Sequence, residues 1–120
     1  MKKVEVTWRI FGMYLLIILF MLIAGTASSQ ITAKHFNAEW NKSNAADWFM
    51  DLKDCDTKSY VDIGKDSDSQ KEYKIAVIPT IIIFKDGEEV ARFQADLSFK
   101  MIATREEVQE EIDEQLMSDF

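Results

Sequence analysis

The chain has 120 residues with 14 basic and 21 acidic side chains, for a formal net charge of −7. That balance repels nucleic-acid phosphates and anionic lipid headgroups, so no nucleic-acid partner is expected. A single cysteine, Cys55, rules out an internal disulfide.

Lys2, Lys3 and Arg9 precede an uncharged, mostly aliphatic run from Ile10 to Ala24, followed by Gly25, Thr26, Ala27, Ser28 and Ser29. Basic, apolar, then small residues is the order of a secretory signal. Residues 1–29 are therefore expected to be a signal peptide, with Ala27 and Ser29 at the cleavage site. An N-terminal membrane anchor is the competing expectation. Ile10 to Ala33 carries no charge, enough for a helix to cross a hydrocarbon layer of ~30 Å, and residues 10–27 would form the anchor. Under either reading residues 30–120 are exported, periplasmic or extracellular, and meet a membrane only through the N-terminal segment. This part has a net charge of −9, because the leader removes three basic residues and one acidic one. Its length predicts one small domain with one core.

Ile31 to Asn37 reads as a strand with Ile31, Ala33 and His35 on one face, switching to Phe36 and Ala38. Asn41, Ser43 and Asn44 are good helix caps, and the 3-4-7 spacing of Ala45, Trp48, Phe49 and Leu52 predicts a helix over 45–52. A second strand is predicted over Lys58 to Ile63. A short helix capped by Asp66 or Ser67 should reach Lys74. Pro79 opens a β-branched run, Thr80-Ile81-Ile82-Ile83-Phe84. Asp86-Gly87 is a hairpin signal, and Glu88 to Gln94 is the returning strand. In Ala95 to Ala103, the alternation of Leu97, Phe99 and Met101 fits either an extension of that strand or a fold over neighbouring surface. Thr104-Arg105-Glu106-Glu107 is a capping box for a last helix with Val108, Ile112, Gln115 and Leu116 inward. One parallel strand-helix-strand unit, a hairpin and a covering helix predict an α/β mixed sheet.

Two stretches add a resemblance. Phe36-Asn37-Ala38-Glu39-Trp40-Asn41-Lys42-Ser43-Asn44 resembles the thioredoxin active-site sequence F-x-A-x-W-C-x-x-C, with Asn41 and Asn44 in the two cysteine positions. Tyr73 to Gly87 resembles the thioredoxin stretch Y-x-I-x-x-x-P-T-x-x-x-F-x-x-G. The resemblance implies a thioredoxin-like mixed sheet of about four strands flanked by helices, with the family's N-terminal strand and helix missing. It further implies a peptide-binding groove lined by Trp40, Ile78, Pro79 and Ala95, with a cis bond before Pro79. It puts His35 where the family has its buried proton-accepting carboxylate, and Tyr60 where it has the lysine paired with that group.

Disulfide exchange needs sulfur at both positions, and asparagine cannot attack a disulfide. The expected function is an exported, redox-inactive domain that binds a polypeptide or partner protein through the Trp40/cis-Pro79 groove, with no catalytic residue and no cofactor. Two other readings stand beside it. One is a thiol-disulfide oxidoreductase that uses Cys55, whose flanking Asp54 and Asp56 oppose thiolate formation. The other is a purely structural accessory subunit. His35 and Cys55 fall short of a zinc ligand set, and His35 is expected to be bonded to Asn44 or a backbone carbonyl. Asp62, Asp66 and Asp68 lack the glycine and distal glutamate of a calcium loop, so they read as turn residues and no metal is expected.

Overall fold

The computed structural model describes residues 29–118. The leader expected over residues 1–29 lies, except for Ser29, outside the described residues. Four strands form one sheet: β1 (Ile31–Asn37), β2 (Thr57–Asp62), β3 (Thr80–Lys85) and β4 (Glu88–Gln94), in spatial order β2-β1-β3-β4. β1 pairs parallel with β2 and antiparallel with β3, and β3 pairs antiparallel with β4. This is the mixed sheet that the element order predicts.

A central strand meets packing on both faces, which relaxes strict alternation. Accordingly His35, Phe36 and Asn37 are buried in succession. Ile31, Ala33, Ile81 and Ile83 share one core with Phe49, Leu52 and the helix α2 (Arg105–Met117), through its Val108 and Ile112. Phe36, Ala38, Ile82 and Phe84 form the core of the other face with Ile75 and Ile78. The short helix α1 (Ser67–Glu72) buries none of its own residues, and the chain leaving it supplies Tyr73 and Ile75 to that core.

Local chemistry places most of the boundaries. Asp66 caps α1 by accepting the Ser69 amide at 3.1 Å, and Thr104 caps α2 by accepting the Glu107 amide at 3.2 Å. Asp86 and Gly87 both have positive φ, 53° and 84°, as a type I′ hairpin turn requires. β2 and α1 lie within two residues of their expected limits.

The helix expected over 45–52 is absent. In its place stand two 3-10 turns, Glu39–Asn44 and Phe49–Asp51, joined through Ala45 in extended backbone (φ −60°, ψ 148°). Asparagine and serine side chains compete with helical hydrogen bonding by bonding locally, and the Asn37–Asn41–Asn44 contacts described below do this here. The apolar residues still reach the core, but Ala46 rather than Ala45 is the buried alanine.

Candidate functional site

β1 ends at Asn37, and Ala38 carries the chain from the sheet into the first 3-10 turn. Asn37 Nδ2 donates to the Asn41 carbonyl at 3.1 Å, and Asn41 Nδ2 donates back to Asn37 Oδ1 at 3.0 Å. Asn44 Nδ2 donates to Asn41 Oδ1 at 2.8 Å. Asn41 is buried, so these bonds are sheltered from water and fix the turn. Its immediate neighbour Trp40 points outward and is 69% exposed. A large aromatic this exposed beside a rigid turn is available for contact with another molecule.

The remaining predicted groove residues, Ile78, Pro79 and Ala95, are not equally open. The Ile78–Pro79 peptide is cis, Pro79 is buried and Ile78 is only 5% exposed. The accessible apolar surface expected at Ile78 is thus closed on the side-chain side, because Ile78 packs into the core with Phe36 and Ile82. Its backbone is another matter. Among the described residues no hydrogen bond engages the Ile78 amide or carbonyl. Ala95 is half-buried, donates its amide to the Pro79 carbonyl at 3.0 Å, and bridges Met101. Arg92 donates to the carbonyls of Tyr73 and Lys74 at 2.6 and 3.0 Å, tying β4 to the segment that leads to Ile78.

The segment after Ala95 takes part of each course its alternation allowed. The bond from the Ala95 amide to the Pro79 carbonyl carries the β3–β4 pairing one step past Gln94, while the Ala95–Met101 bridge closes a separate turn whose tip brings Phe99 to Trp40. Phe99 stands edge-on to Trp40, with ring centroids 5.2 Å apart and planes at 85°, and its carbonyl accepts the second Asn41 Nδ2 hydrogen at 3.2 Å. Sequence reading singled out neither Phe99 nor Asn37 as part of the site. The only local signal was the hydrophobic alternation, which does not say where the tip lands.

His35 is fully buried beneath the first 3-10 turn, edge-on to Phe49 and to Tyr60, its register partner on β2. Its Nε2 accepts the Ala46 amide at 3.0 Å, rather than bonding Asn44 or a carbonyl. Nε2 is therefore the unprotonated nitrogen, and the neutral ring carries its proton on Nδ1, which has no partner among the described residues. Burial pushes the imidazole down to a pKa of about 4, so it is neutral at pH 7. A half-open cavity of about 150 Å³ is lined by His35, Asn37, Tyr60 and Asp62, among others.

Cys55 pairs with none of this. It follows the second 3-10 turn near the N-terminal end of β1, where the Asp56 amide bonds the Ile31 carbonyl. At ~3.3 Å per residue, β1 separates it from Trp40 by roughly 20 Å. Its thiol pKa is pushed up to about 11, chiefly by burial, with Lys58 opposing and Asp54 and Asp56 adding to the rise. Burial therefore outweighs the flanking acids as the cause. Asp62 and Asp66 are engaged in a turn and a cap, accepting from the Gly64 and Ser69 amides. Among the described residues no three His, Cys, Asp or Glu side chains converge on a possible metal position.

No model of a known protein family matches the chain, and no curated protein does. Solved structures do. The chain is similar to a thioredoxin of Schistosoma mansoni, with a TM-score of 0.57 and 23% identity over 79% of this chain and 85% of that one. It is also similar to a mutant thioredoxin of Halobacterium salinarum, with a TM-score of 0.56 and 16% identity over 71% of this chain and 74% of that one. A thioredoxin of Plasmodium falciparum matches with a TM-score of 0.51 and 16% identity, over 72% and 82% of the two chains. The fold is thioredoxin-like, and the chain has one cysteine.

Proposed function

We propose that this chain is an exported thioredoxin-like domain without redox chemistry, which binds an extended polypeptide at the surface around Trp40, Ile78, Pro79 and Ala95. Asn41 and Asn44 take the two positions that hold cysteine in the F-x-A-x-W-C-x-x-C pattern. Residues 1–29 act as its secretory signal or its membrane anchor. The observations that carry the reading are the exposed Trp40 and an Ile78 backbone that no hydrogen bond engages among the described residues. An aromatic anchor supplies affinity, and free backbone groups pair with an extended chain as a strand would.

The test is Trp40→Ala. Trp40 contributes little to the core, so the variant should lose less than about 1 kcal/mol of stability. Peptides selected against the wild-type protein from a displayed library should bind the variant at least about tenfold more weakly, as for the loss of an interface anchor. Equal binding by both proteins would remove the groove from consideration and favour the accessory-subunit reading.

The same reading predicts no disulfide reductase activity. In an insulin-reduction assay with dithiothreitol, the protein should add nothing to the uncatalysed rate. A thiol held near pKa 11 and remote from Trp40 supplies almost no thiolate at neutral pH. A rate abolished by Cys55→Ser would restore the oxidoreductase reading.

A further inference from the structure

The tip between Ala95 and Met101 is closed upon itself. Asp96 Oδ1 accepts from the Ser98 amide at 2.8 Å, from the Ser98 hydroxyl and from the Lys100 amide at 3.4 Å. The Asp96 amide donates to the Lys100 carbonyl at 3.1 Å, and the Phe99 amide donates to the Asp96 carbonyl at 3.2 Å. At the left-handed position of this turn, where glycine or asparagine is the usual residue, the chain carries Phe99 at φ 63°. The turn itself does not ask for an aromatic side chain. What the side chain meets is Trp40, and what the carbonyl meets is Asn41. Phe99 nevertheless remains 42% exposed, and Leu97 on the same tip is 94% exposed.

Two features follow from this arrangement. Because the tip is fastened by Asp96, Phe99 can leave Trp40 without undoing the turn. Because Asn41 Nδ2 is sheltered and has only Phe99 as its second acceptor, whatever replaces Phe99 must bring a carbonyl oxygen of its own, or leave a buried donor unpaired. We infer that the Trp40 site takes an aromatic side chain presented with its own backbone carbonyl, and that Phe99 holds this place until a partner segment supplies one. The inference rests on the peptide-binding reading above and gives that reading a ligand class: an unfolded or loop segment with an exposed phenylalanine or tyrosine. An aliphatic side chain fills the space but lacks the ring edge that faces Trp40.

The experiment is a calorimetric titration of acetyl-Ser-Phe-Lys-amide, and of its leucine and alanine counterparts, into wild-type protein, Phe99→Ala and the doubly substituted Trp40→Ala/Phe99→Ala. Circular dichroism confirms folding of each, and Phe99→Leu serves as a second variant that keeps apolar bulk at the tip. If Phe99 occupies the site most of the time, its removal should tighten binding of the phenylalanine peptide about tenfold, since apparent affinity scales with the open fraction. The leucine and alanine peptides should bind Phe99→Ala more weakly than the phenylalanine peptide does, and the double variant should bind none. Equal binding of all three peptides by Phe99→Ala overturns the inference but leaves the groove reading intact. So does equal affinity of wild type and Phe99→Ala for the phenylalanine peptide. Absence of binding to every folded variant overturns the inference as well, and the library selection with Trp40→Ala then decides the groove reading separately.

Discussion

Acid should destabilise this domain between about pH 6.5 and pH 4 through one side chain, His35. Burial lowers its folded pKa from the ordinary 6.5 to about 4, so in that interval the unfolded chain binds a proton that the folded chain refuses. Stability then rises with pH across the window. The His35 contribution is fully present above pH 6.5 and is lost as pH falls through 4. At 1.36 kcal/mol per pH decade the full difference is ~3 kcal/mol, a large part of a small domain's stability. His35 is fully buried, so solvent screening does not shrink this term. The cost has a local cause. A protonated ring would turn Nε2 into a donor facing the Ala46 amide, which is also a donor. Of the rings packed against it, Phe49 does not titrate, and the Tyr60 pKa is raised by burial and by Asp47 and Asp51, away from the window. Denaturant unfolding at pH 7, 5.5 and 4 on wild type and His35→Gln isolates the effect, because the surface carboxylates titrate alike in both. The stability difference between the two proteins should shift by ~3 kcal/mol in favour of the variant on going from pH 7 to pH 4. A difference that stays constant with pH would show that His35 does not control acid sensitivity.

The second large effect is expected at Asn41. Asn41→Ala removes three side-chain hydrogen bonds at once and strands Asn37 Oδ1, the Phe99 carbonyl and Asn44 Nδ2. Asn37 and Asn41 are both buried, so the abandoned groups at that end of the network do not regain water fully. Each sheltered group left unsatisfied costs ~1–3 kcal/mol, and relaxation of the tip relieves part of the total, so a loss of about 2–3 kcal/mol is expected. Asn44→Ala is the control. It breaks one partly sheltered bond and should cost no more than about 1 kcal/mol. Chemical denaturation of both variants reads the contrast directly. Equal, small losses would mean that the asparagine network does not hold the turn.

The strands, the hairpin and the last helix were legible because each is written in local chemistry. The β-branched run before Asp86-Gly87 leaves few alternatives to a strand and a type I′ turn. Thr104 with Glu107 announces the start of α2 before any packing is considered. The turn region was not legible in the same way. The 3-4-7 pattern of Ala45, Trp48, Phe49 and Leu52 reads as an amphipathic helix. Asn41 and Asn44, good caps by residue type, instead bond within the Asn37–Asn41–Asn44 network and stop the helix from forming. Hydrophobic spacing identified which residues go inward, but it did not identify the backbone that takes them there.

From its own residues, then, the chain determines a thioredoxin-like mixed sheet, a single cysteine, and a tryptophan and a proline in the places where a groove is expected. These properties depend on residue type and short-range spacing, which act before the chain is folded. The openness of the site was decided only in three dimensions. Asn41 and Phe99 lie 58 residues apart, and no local preference of the tip specifies Trp40 as its destination. Ile78 gives its side chain to the core, and because the β1–β3 pairing stops at Thr80 no hydrogen bond engages its backbone among the described residues. The protonation state of His35 is likewise a tertiary property. An imidazole titrates near 6.5 in water, and only enclosure between Phe49 and Tyr60 makes its charge costly enough to move that value to about 4.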